Sequence, residues 1–448
     1  MLPFKPDLMK MRYEKIDKEL FVANRRRLVQ ELKPGSVAVF NSNDIMPTTA
    51  DGTMPFRQNS DLIYLTGIHQ EETMLVICPG FPDKRFREVL FLKEPNENLE
   101  KWEGHKLTRE EAKADSGIET VLWLEDFQKW FRHMMTMGGA EHVYLNTNEH
   151  YRSEVIVQTR DARFIDWCQS KYPLHHYERL APIMAKLRPV KHPLELAMIQ
   201  RAVDVTERGF RRVLKFVKPG VSEYEIEAEY IHEFIRNGSR GHAYSPIIAS
   251  GKNNVVLHYI ENNRKCKDGD LLLLDVGAEY GNYNADLTRT IPVNGRFSKR
   301  QKEVYKAVLR IHREAINLMG SHVVYFDYHK EIEKLMEQEL VKLKLISTKD
   351  IKNQKQGQEA FRRYFYHGTS HMLGLDIHDV GNMHDRMAVN SVWTVEPGIY
   401  IKEEGFGVRL ENNVVIRKKG VLDLTRNIPI EAEEIEEIMS QVGSRQRQ

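Results

Sequence analysis

The stretch LLLLDVGAEYGNYNADLTRTIPV, residues 271–293, is the best guide to how this chain folds. Its β-forming residues on both sides of Tyr280-Gly281 predict a hairpin with its turn at that pair. A symmetric hairpin centred there would place Asp275 directly opposite Asp286, with both carboxylates on one face. Asp275 follows four leucines and so enters from a strand that we expect to be buried, where an unpaired carboxylate costs several kcal/mol.

A second stretch, residues 392–415, predicts another hairpin with the same arrangement. With its turn centred on Glu403-Glu404, Glu396 and Glu411 become partners across the ladder, although a β-bulge would shift either register. Like charges opposite each other are destabilising, so the four acids need positive charge nearby. Two divalent cations would neutralise them. The alternative without metal places these acids at the surface or in ion pairs with two arginines, Arg289 and Arg409.

Histidines supply a nitrogen ligand for such a site. The segment HGTSH, residues 367–371, has the spacing of the zinc-binding helix HExxH, but Gly368 replaces the glutamate and disfavours a helix. His367, His371 and His378 lie within twelve positions, amid three glycines, and this density favours a site over isolated structural histidines. The pattern predicts one histidine as a metal ligand and the others around it.

Length and pattern divide the chain into two domains. Its 448 residues exceed what one hydrophobic core supports. Short strands alternate with helices in the first part, which predicts an α/β N-terminal domain at residues 1–182. Two prolines in residues 187–193 indicate a linker. Residues 190–448 contain two helices followed by strands, twice, which predicts an α+β domain with pseudo-twofold duplication and a site between its halves.

The periodicity also predicts individual elements. The expected strands of the first domain are residues 36–41, 62–68, 74–78, 89–93 and 142–146. The expected helices are residues 124–137, one opened by a capping box at Thr108, and four in the second domain, at 199–217, 222–238, 298–320 and 327–343.

Composition excludes several classes of partner. Lys and Arg number 66 against 64 Asp and Glu, a net charge of +2 that predicts no affinity for nucleic acid or an anionic membrane. No apolar run approaches the length of a membrane span, and the amino terminus lacks the apolar core of a signal peptide. Three widely spaced cysteines, Cys78, Cys168 and Cys266, indicate neither disulfides nor a thiolate metal site. We therefore expect a cytoplasmic protein.

Several segments of the chain match one enzyme family. They are FRQNSD at 56–61, YLTG at 64–67, LDVG at 274–277, ADLTRT at 285–290, HGTSHMLGLDIHDVG at 367–381, TVEPGIY at 394–400 and GVRLEN at 407–412. The chain resembles aminopeptidase P (Xaa-Pro aminopeptidase), within the pita-bread metallopeptidase group that also contains prolidase, methionine aminopeptidase and creatinase. The resemblance spans nearly the whole chain and is most specific in the second half.

The resemblance implies a site with two divalent metal ions. Its metal ligands would be Asp275, Asp286, His371, Glu396 and Glu411. In the family pattern Asp286 and Glu411 bridge the ions, Asp275 chelates one, and His371 and Glu396 hold the other. Five ligands rich in hard oxygen suit Mn(II) best, with Co(II) and Zn(II) as alternatives. The substrate-site residues implied by the resemblance are His258, His367, His378, Tyr400, Arg409 and Trp102.

The same resemblance implies the reaction. The chain would release the N-terminal residue from peptides with proline in second position. His258 or His378 would donate to the developing oxyanion, and Glu396 would carry a proton to the departing proline nitrogen. The alternatives are prolidase, which is a dipeptidase on the same architecture, and a non-catalytic pita-bread binding protein.

Two further features bear on substrate and assembly. The connection between Tyr400 and Gly407 is short, which favours a pocket open to peptides longer than two residues. The resemblance also implies that Trp102 reaches the site of a neighbouring subunit in a homodimer or homotetramer. Its alternative role is to pack half-buried beside Leu107.

Overall fold

The computed structural model describes residues 12–137 and 139–445. The chain separates into two compact units, one formed by residues 15–188 and the other by residues 189–445 together with residues 12–14. Among the described residues, no helix has both the length and the apolar character needed to cross a membrane.

The first unit contains one six-stranded mixed sheet with strand order β4-β3-β2-β1-β5-β6. Its strands are β1 (Ser36–Asn41), β2 (Met74–Ile77), β3 (Glu88–Leu92), β4 (Thr120–Trp123), β5 (His142–Leu145) and β6 (His176–Arg179). Its helices are α1 (Glu19–Glu31), α2 (Ser60–Thr66), α3 (Glu97–Glu103), α4 (Arg109–Ser116), α5 (Phe127–Thr136), α6 (Arg160–Lys171) and α7 (Ala181–Leu187). Strand β1 pairs antiparallel with β2 and parallel with β5, which places it inside the sheet.

Most predictions for this unit are confirmed. The capping box at Thr108 opens α4, and the predicted helix 124–137 begins with a 3₁₀ turn and continues as α5. The predicted strand 62–68 is wrong, because these residues form α2 and its C-terminal cap. The Asn59 side chain accepts hydrogen bonds from the N–H groups of Asp61 and Leu62, and Gly67 ends the helix with φ of 70°. The helix is buried on all sides, so its sequence has no helical periodicity.

The second unit repeats one order of elements twice. Its helices are α8 (Pro193–Phe216), α9 (Glu223–Arg236), α10 (Lys299–Leu318), α11 (Tyr325–Lys342), α12 (Thr348–Asn353) and α13 (Ala432–Arg445). Its strands are β7 (Ile247–Ser250), β8 (Leu271–Asp275), β9 (Glu279–Tyr280), β10 (Tyr283–Asn284), β11 (Thr288–Pro292), β12 (Val392–Val395), β13 (Gly398–Ile401), β14 (Phe406–Arg409), β15 (Asn412–Ile416) and β16 (Val421–Asp423). Two helices precede β7–β11, and α10 and α11 precede β12–β16, as the sequence predicts.

Two hairpins dominate the strands of this unit. The first hairpin comprises β8 to β11, and the second hairpin comprises β12 to β15. Strand β8 lies between β11 and β7, while β15 lies between β12 and β16. The four leucines of β8 are fully buried, as is Trp393 of β12. Both hairpins therefore belong to the core, and any acid they carry inward lies in an environment of low polarity.

Candidate metal and peptide site

The first hairpin has a register that differs from the predicted one. Thr288, rather than Asp286, lies opposite Asp275, so the predicted direct pairing of the aspartates is wrong. The turn lies at Gly281-Asn282, one residue later than predicted, and both residues have positive φ, 59° and 71°, as a tight two-residue turn requires. Because side chains alternate along a strand, a register error of two residues leaves both aspartates on one face, as diagonal neighbours.

The second hairpin has the predicted register. Val395 lies opposite Asn412, and this register carried one step further brings Glu396 across from Glu411. The turn between β13 and β14, residues 402–405, is symmetric about the predicted centre. The two hairpins therefore deliver two pairs of acids to the interior of the second unit.

Three of the predicted metal ligands lie together: one side-chain ligand atom each from Asp286, His371 and Glu411 lies within 4.8 Å of the others. All three residues are buried. The Nε2 atom of His371 lies 3.5 Å from Asp286 Oδ2 and 3.6 Å from Glu396 Oε1. Glu396 thus adjoins the same cluster on the side of the histidine.

Tyr244, which the sequence analysis missed, connects the fifth predicted ligand to the cluster. Its hydroxyl oxygen lies 2.5 Å from Asp275 Oδ1 and 2.7 Å from Asp286 Oδ1. A hydroxyl has one proton, so it donates to one carboxylate at a time. The second oxygen of Asp275 accepts a hydrogen bond of 2.6 Å from Arg409 Nη2. Nothing in the sequence around Tyr244 predicts this contact, because Tyr244 precedes Asp275 by 31 positions and precedes the hairpin.

The acids of the cluster carry more negative charge than their surroundings neutralise. Burial raises the pKa of Asp286 and holds the pKa of Glu411 well above its usual range. Burial also raises the pKa of Glu396 to about 7. Neighbouring carboxylates add to each of these shifts in pKa. A cation bound among the acids would relieve both the repulsion and the cost of burial.

The donor set fits divalent metal ions. The Nδ1–H group of His371 donates to the carbonyl oxygen of Met372, 2.9 Å away. That bond fixes the tautomer and leaves the lone pair of Nε2 facing the carboxylates, an arrangement that suits a metal ligand. Several carboxylates with one imidazole form a hard, oxygen-rich set that suits Mn(II), Co(II) or Zn(II) better than a soft metal ion.

A chain of hydrogen bonds adjoins the cluster at Asp275. Arg409 Nη1 donates to the Tyr400 hydroxyl oxygen, and the Tyr400 hydroxyl donates to His367 Nε2, each over 2.8 Å. His367 Nδ1–H donates to the carbonyl oxygen of Gly368, also over 2.8 Å. Burial, together with the charge of Arg409, lowers the pKa of His367 to about 3, which keeps this imidazole neutral. The predicted proline-pocket residues are therefore locked to one another and to Asp275.

The remaining predicted histidines lie near these groups. The ring of His378 stands perpendicular to that of His371, with 4.5 Å between ring centroids. His258 follows a 3₁₀ turn at Gly251–Val255, and its side chain is exposed. It is close enough to His367 for its charge to contribute to the lowered pKa of that residue.

Trp102 lies on α3 of the first unit. Its side chain is 90% exposed, so the alternative in which it packs half-buried beside Leu107 is wrong.

Two more polar residues that the sequence analysis missed support the ligands. The Thr288 hydroxyl donates to Glu411 Oε2 over 2.7 Å and accepts from Arg409 Nε over 3.2 Å. The Asn413 side chain accepts from the N–H of Asp286 over 3.0 Å and donates to its carbonyl oxygen over 2.5 Å. Thr288 lies two residues after Asp286 and Asn413 two residues after Glu411, so same-face spacing along each strand was a signal that could have found them.

Comparison with known proteins agrees with this architecture. The sequence model of metallopeptidase family M24 matches residues 197–418, and that of the aminopeptidase P N-terminal domain matches residues 21–144. Xaa-Pro aminopeptidase of Escherichia coli K12 is 33% identical over 450 residues, which cover 95% of this chain and 98% of the relative. Xaa-Pro aminopeptidase 3 of Homo sapiens is 31% identical over 434 residues, covering 90% and 79%.

Solved structures give the same result. Escherichia coli aminopeptidase P with the inhibitor Pro-Leu superposes with a TM-score of 0.84 and 31% identity, covering 96% of this chain and all of that one. The zinc-substituted Escherichia coli enzyme in complex with product has the same TM-score with 32% identity, covering 96% and 99%. The expected fold class, a pita-bread domain preceded by an α/β domain, is confirmed. The chain is a metal-dependent hydrolase that belongs to the aminopeptidase P (Xaa-Pro aminopeptidase) family, within metallopeptidase family M24.

Proposed function

We propose that this protein is a dinuclear aminopeptidase that releases the N-terminal residue from peptides with proline in second position. The observation that carries the proposal is the buried cluster of Asp286, His371 and Glu411, joined to Asp275 through Tyr244. The five predicted ligands, Asp275, Asp286, His371, Glu396 and Glu411, would hold two ions, of which Mn(II) fits the oxygen-rich set best. Bound ions of this kind supply Lewis acidity, which lowers the pKa of a water molecule and polarises a carbonyl group.

The chain's own residues would orient the peptide and move protons. Glu396 is the candidate that carries a proton to the departing proline nitrogen. His378 or His258 would donate a hydrogen bond to the oxygen of the scissile carbonyl as negative charge develops there. The fixed, neutral His367 and the Tyr400 ring would form a wall against which the proline ring packs.

The turn of the second hairpin favours an aminopeptidase over a prolidase. A prolidase recognises the free carboxylate of its second residue, so its pocket must be closed beyond the proline. Here only residues 402–405 connect β13 to β14, which leaves little chain to close the exit. We therefore propose that peptides of three or more residues are better substrates than dipeptides.

A panel of three peptides tests the proposal. The kcat/KM values of a Xaa-Pro dipeptide, a matched pentapeptide and the same pentapeptide with alanine in place of proline are compared with metal bound. We expect the proline pentapeptide to be cleaved fastest and the alanine version to lose most of the rate. Exclusive cleavage of the dipeptide would make prolidase the correct description, and equal rates with alanine would reject the proline pocket. Metal binding without turnover of any peptide would favour a non-catalytic role.

Assembly, domain limits and location complete the proposal. The exposed Trp102 supports a homodimer or homotetramer in which this side chain reaches a neighbouring subunit. The two compact units and the two family matches support domains at residues 1–182 and 190–448. Three free, buried cysteines support a reducing, cytoplasmic location.

A further inference from the structure

A buried ion pair lies at the base of the segment that carries His378. Lys191 Nζ lies 2.7 Å from Asp379 Oδ2, and the two side chains are 2% and 1% exposed. The other oxygen of Asp379 accepts from the N–H of Val380 over 3.0 Å. Lys191 precedes α8 in the chain, whereas Asp379 directly follows His378. Two distant parts of the sequence therefore meet beside a proposed substrate-site residue.

The segment from Met372 to Asp379 forms a closed loop. The N–H of Asp379 donates to the carbonyl oxygen of Met372 over 2.9 Å, which brings the two ends of the loop together. At the middle of the loop, the Asn284 side chain donates to the carbonyl oxygens of Gly374 and Leu375, over 3.1 and 2.9 Å. The loop is thus held at its base and at its middle, with His378 beside the base.

Gly374 shows how closely the ion pair packs against this loop. A Cβ atom added at Gly374 would lie 2.2 Å from Asp379 Oδ2 and 2.8 Å from Lys191 Nζ. Both distances are far below van der Waals contact, so any side chain at this position must displace the pair. The charged groups therefore pack directly against the loop at Gly374.

The chemistry of the pair favours a positioning role over a contribution to stability. Taking two charges out of water costs about as much as their attraction returns, so apolar residues of similar volume would stabilise the fold as well. Apolar residues, however, do not fix direction. The ammonium group of Lys191 fixes the direction of the Asp379 carboxylate, and the same carboxylate fixes the backbone at Val380.

We propose that Lys191 is a positioning residue for His378, acting through Asp379. The inference rests on the proposed role of His378 in binding the scissile carbonyl. It assigns Lys191 an effect on the transition state, because a hydrogen bond that strengthens as charge develops raises kcat and changes KM little.

The test compares the holoenzyme with Lys191→Met, Asp379→Asn and His378→Ala, on a proline pentapeptide. We expect Lys191→Met to lower kcat by between about 10-fold and 100-fold, as a displacement of about 1 Å at a reacting group does. KM should change less than about twofold, since this contact is made in the transition state. Metal content, measured by elemental analysis, should stay at the wild-type value. Added to His378→Ala, Lys191→Met should cause no further loss.

Asp379→Asn and Gly374→Ala make the test independent of one variant. Asp379→Asn keeps the size of the side chain and removes its charge. We expect it to lower kcat as Lys191→Met does, and it provides the test if Lys191→Met does not fold. Gly374→Ala displaces the pair without removing a charge, and its matched control is Gly80→Ala, where an added Cβ meets nothing within 4 Å. We expect Gly374→Ala to lower kcat and Gly80→Ala to leave it unchanged.

The outcomes distinguish a failure of the positioning role of Lys191 from a failure of the proposed role of His378. If His378→Ala is impaired while the folded Lys191 and Asp379 variants keep the wild-type kcat, the positioning role is overturned. Loss of metal in those variants, or additive losses with His378→Ala, would also overturn it, because the pair would then act elsewhere. If His378→Ala itself keeps full activity, the proposed role of His378 has failed instead.

Discussion

Each of the two hairpins of the second unit carries two acids, but the hydrogen-bond donors to those acids come from different sources in the two hairpins. In the first hairpin, Asp275 and Asp286 share the hydroxyl of Tyr244, which precedes the hairpin in the chain. In the second hairpin, Glu411 and Glu396 have no such shared donor among the described hydrogen bonds. Instead the hairpins exchange groups, because the second gives Arg409 to Asp275 and the first gives the Thr288 hydroxyl to Glu411.

Neither hairpin alone therefore supplies all the hydrogen-bond donors and positive charge that its acids contact. Main-chain contact joins them as well, since the N–H of Glu411 donates to the carbonyl oxygen of Thr288 over 3.0 Å. The site therefore forms only where the hairpins pack together. Bound metal ions would neutralise the charge of the acids that this exchange leaves unpaired. Substitutions that remove single members of the exchange test the comparison between the two hairpins.

The largest expected effect comes from Asp286→Asn. Asp286 is the acid of the first hairpin that lies within the three-residue cluster, and the amide removes its charge while keeping its shape. We expect metal content to fall and activity to drop by orders of magnitude, with the fold retained. Elemental analysis, kcat/KM and circular dichroism measure the three quantities. The control is Asp385→Asn, the same change at an exposed position. Full activity with two ions still bound would contradict the assignment.

Metal removal should have the next largest effect, seen as a loss of stability. An ion that binds only the folded chain adds about 4 kcal/mol when its free concentration is about a thousand times its Kd. Chelation should therefore lower the Tm, and added Mn(II) should restore it. An unchanged Tm, with the loss of metal verified, would contradict a site at the meeting of the hairpins.

This loss should depend on pH. Folding raises the pKa of Glu396 to about 7 in the metal-free chain, above about 4.3 in the unfolded chain. The folded state then binds the proton more tightly, so the contribution of Glu396 to stability is greatest at low pH and falls as pH rises from about 4.3 to about 7. The loss of Tm on chelation should therefore be smaller near pH 5.5 than near pH 7.5. Buried neutral histidines such as His367 act in the opposite direction, but they contribute to the chelated and the metal-bound protein alike and cancel in this difference. Equal pH profiles would contradict the argument.

The smallest expected effects distinguish the hairpins through two tyrosines. Tyr244→Phe removes the hydroxyl shared by the aspartates, and we expect metal affinity to fall about tenfold, as for other groups that orient ligands. Tyr400→Phe breaks the link between Arg409 and His367, and it should lower kcat/KM for proline peptides about tenfold with metal affinity kept. Each variant is the control of the other. The comparison fails if both variants change the same quantity.

Turn geometry decided which parts of the site could be predicted from the sequence. The register of the second hairpin was predictable because its turn, residues 402–405, is symmetric about the predicted centre at Glu403-Glu404. In the first hairpin, Gly281-Asn282 favours positive φ, and this local signal outweighed the symmetry that suggested a turn one residue earlier. Asp275 and Asp286 still share one face despite the register error, because a shift of two residues keeps each side chain on the same side of the strand.

Which distant residues meet was harder to predict. Same-face spacing could have marked Asn413 as a neighbour of Glu411, but it does not predict that Asn413 binds the backbone of Asp286, 127 positions away. The prediction for α2 was wrong for a different reason. All faces of this helix are buried, so its apolar residues match a strand as well as a helix. The candidate metal ligands were proposed from family motifs together with hairpin geometry.

The ion pair between Lys191 and Asp379 also has a consequence for evolution. Its two residues lie 188 positions apart, and replacing either one alone leaves a buried charge unmatched. We therefore expect relatives to replace both residues or neither of them. Gene recombination between relatives should tolerate a crossover before Lys191 but not one between Lys191 and Asp379, wherever the parents differ at this pair. The boundary between interchangeable modules of this enzyme thus lies on the N-terminal side of a single lysine.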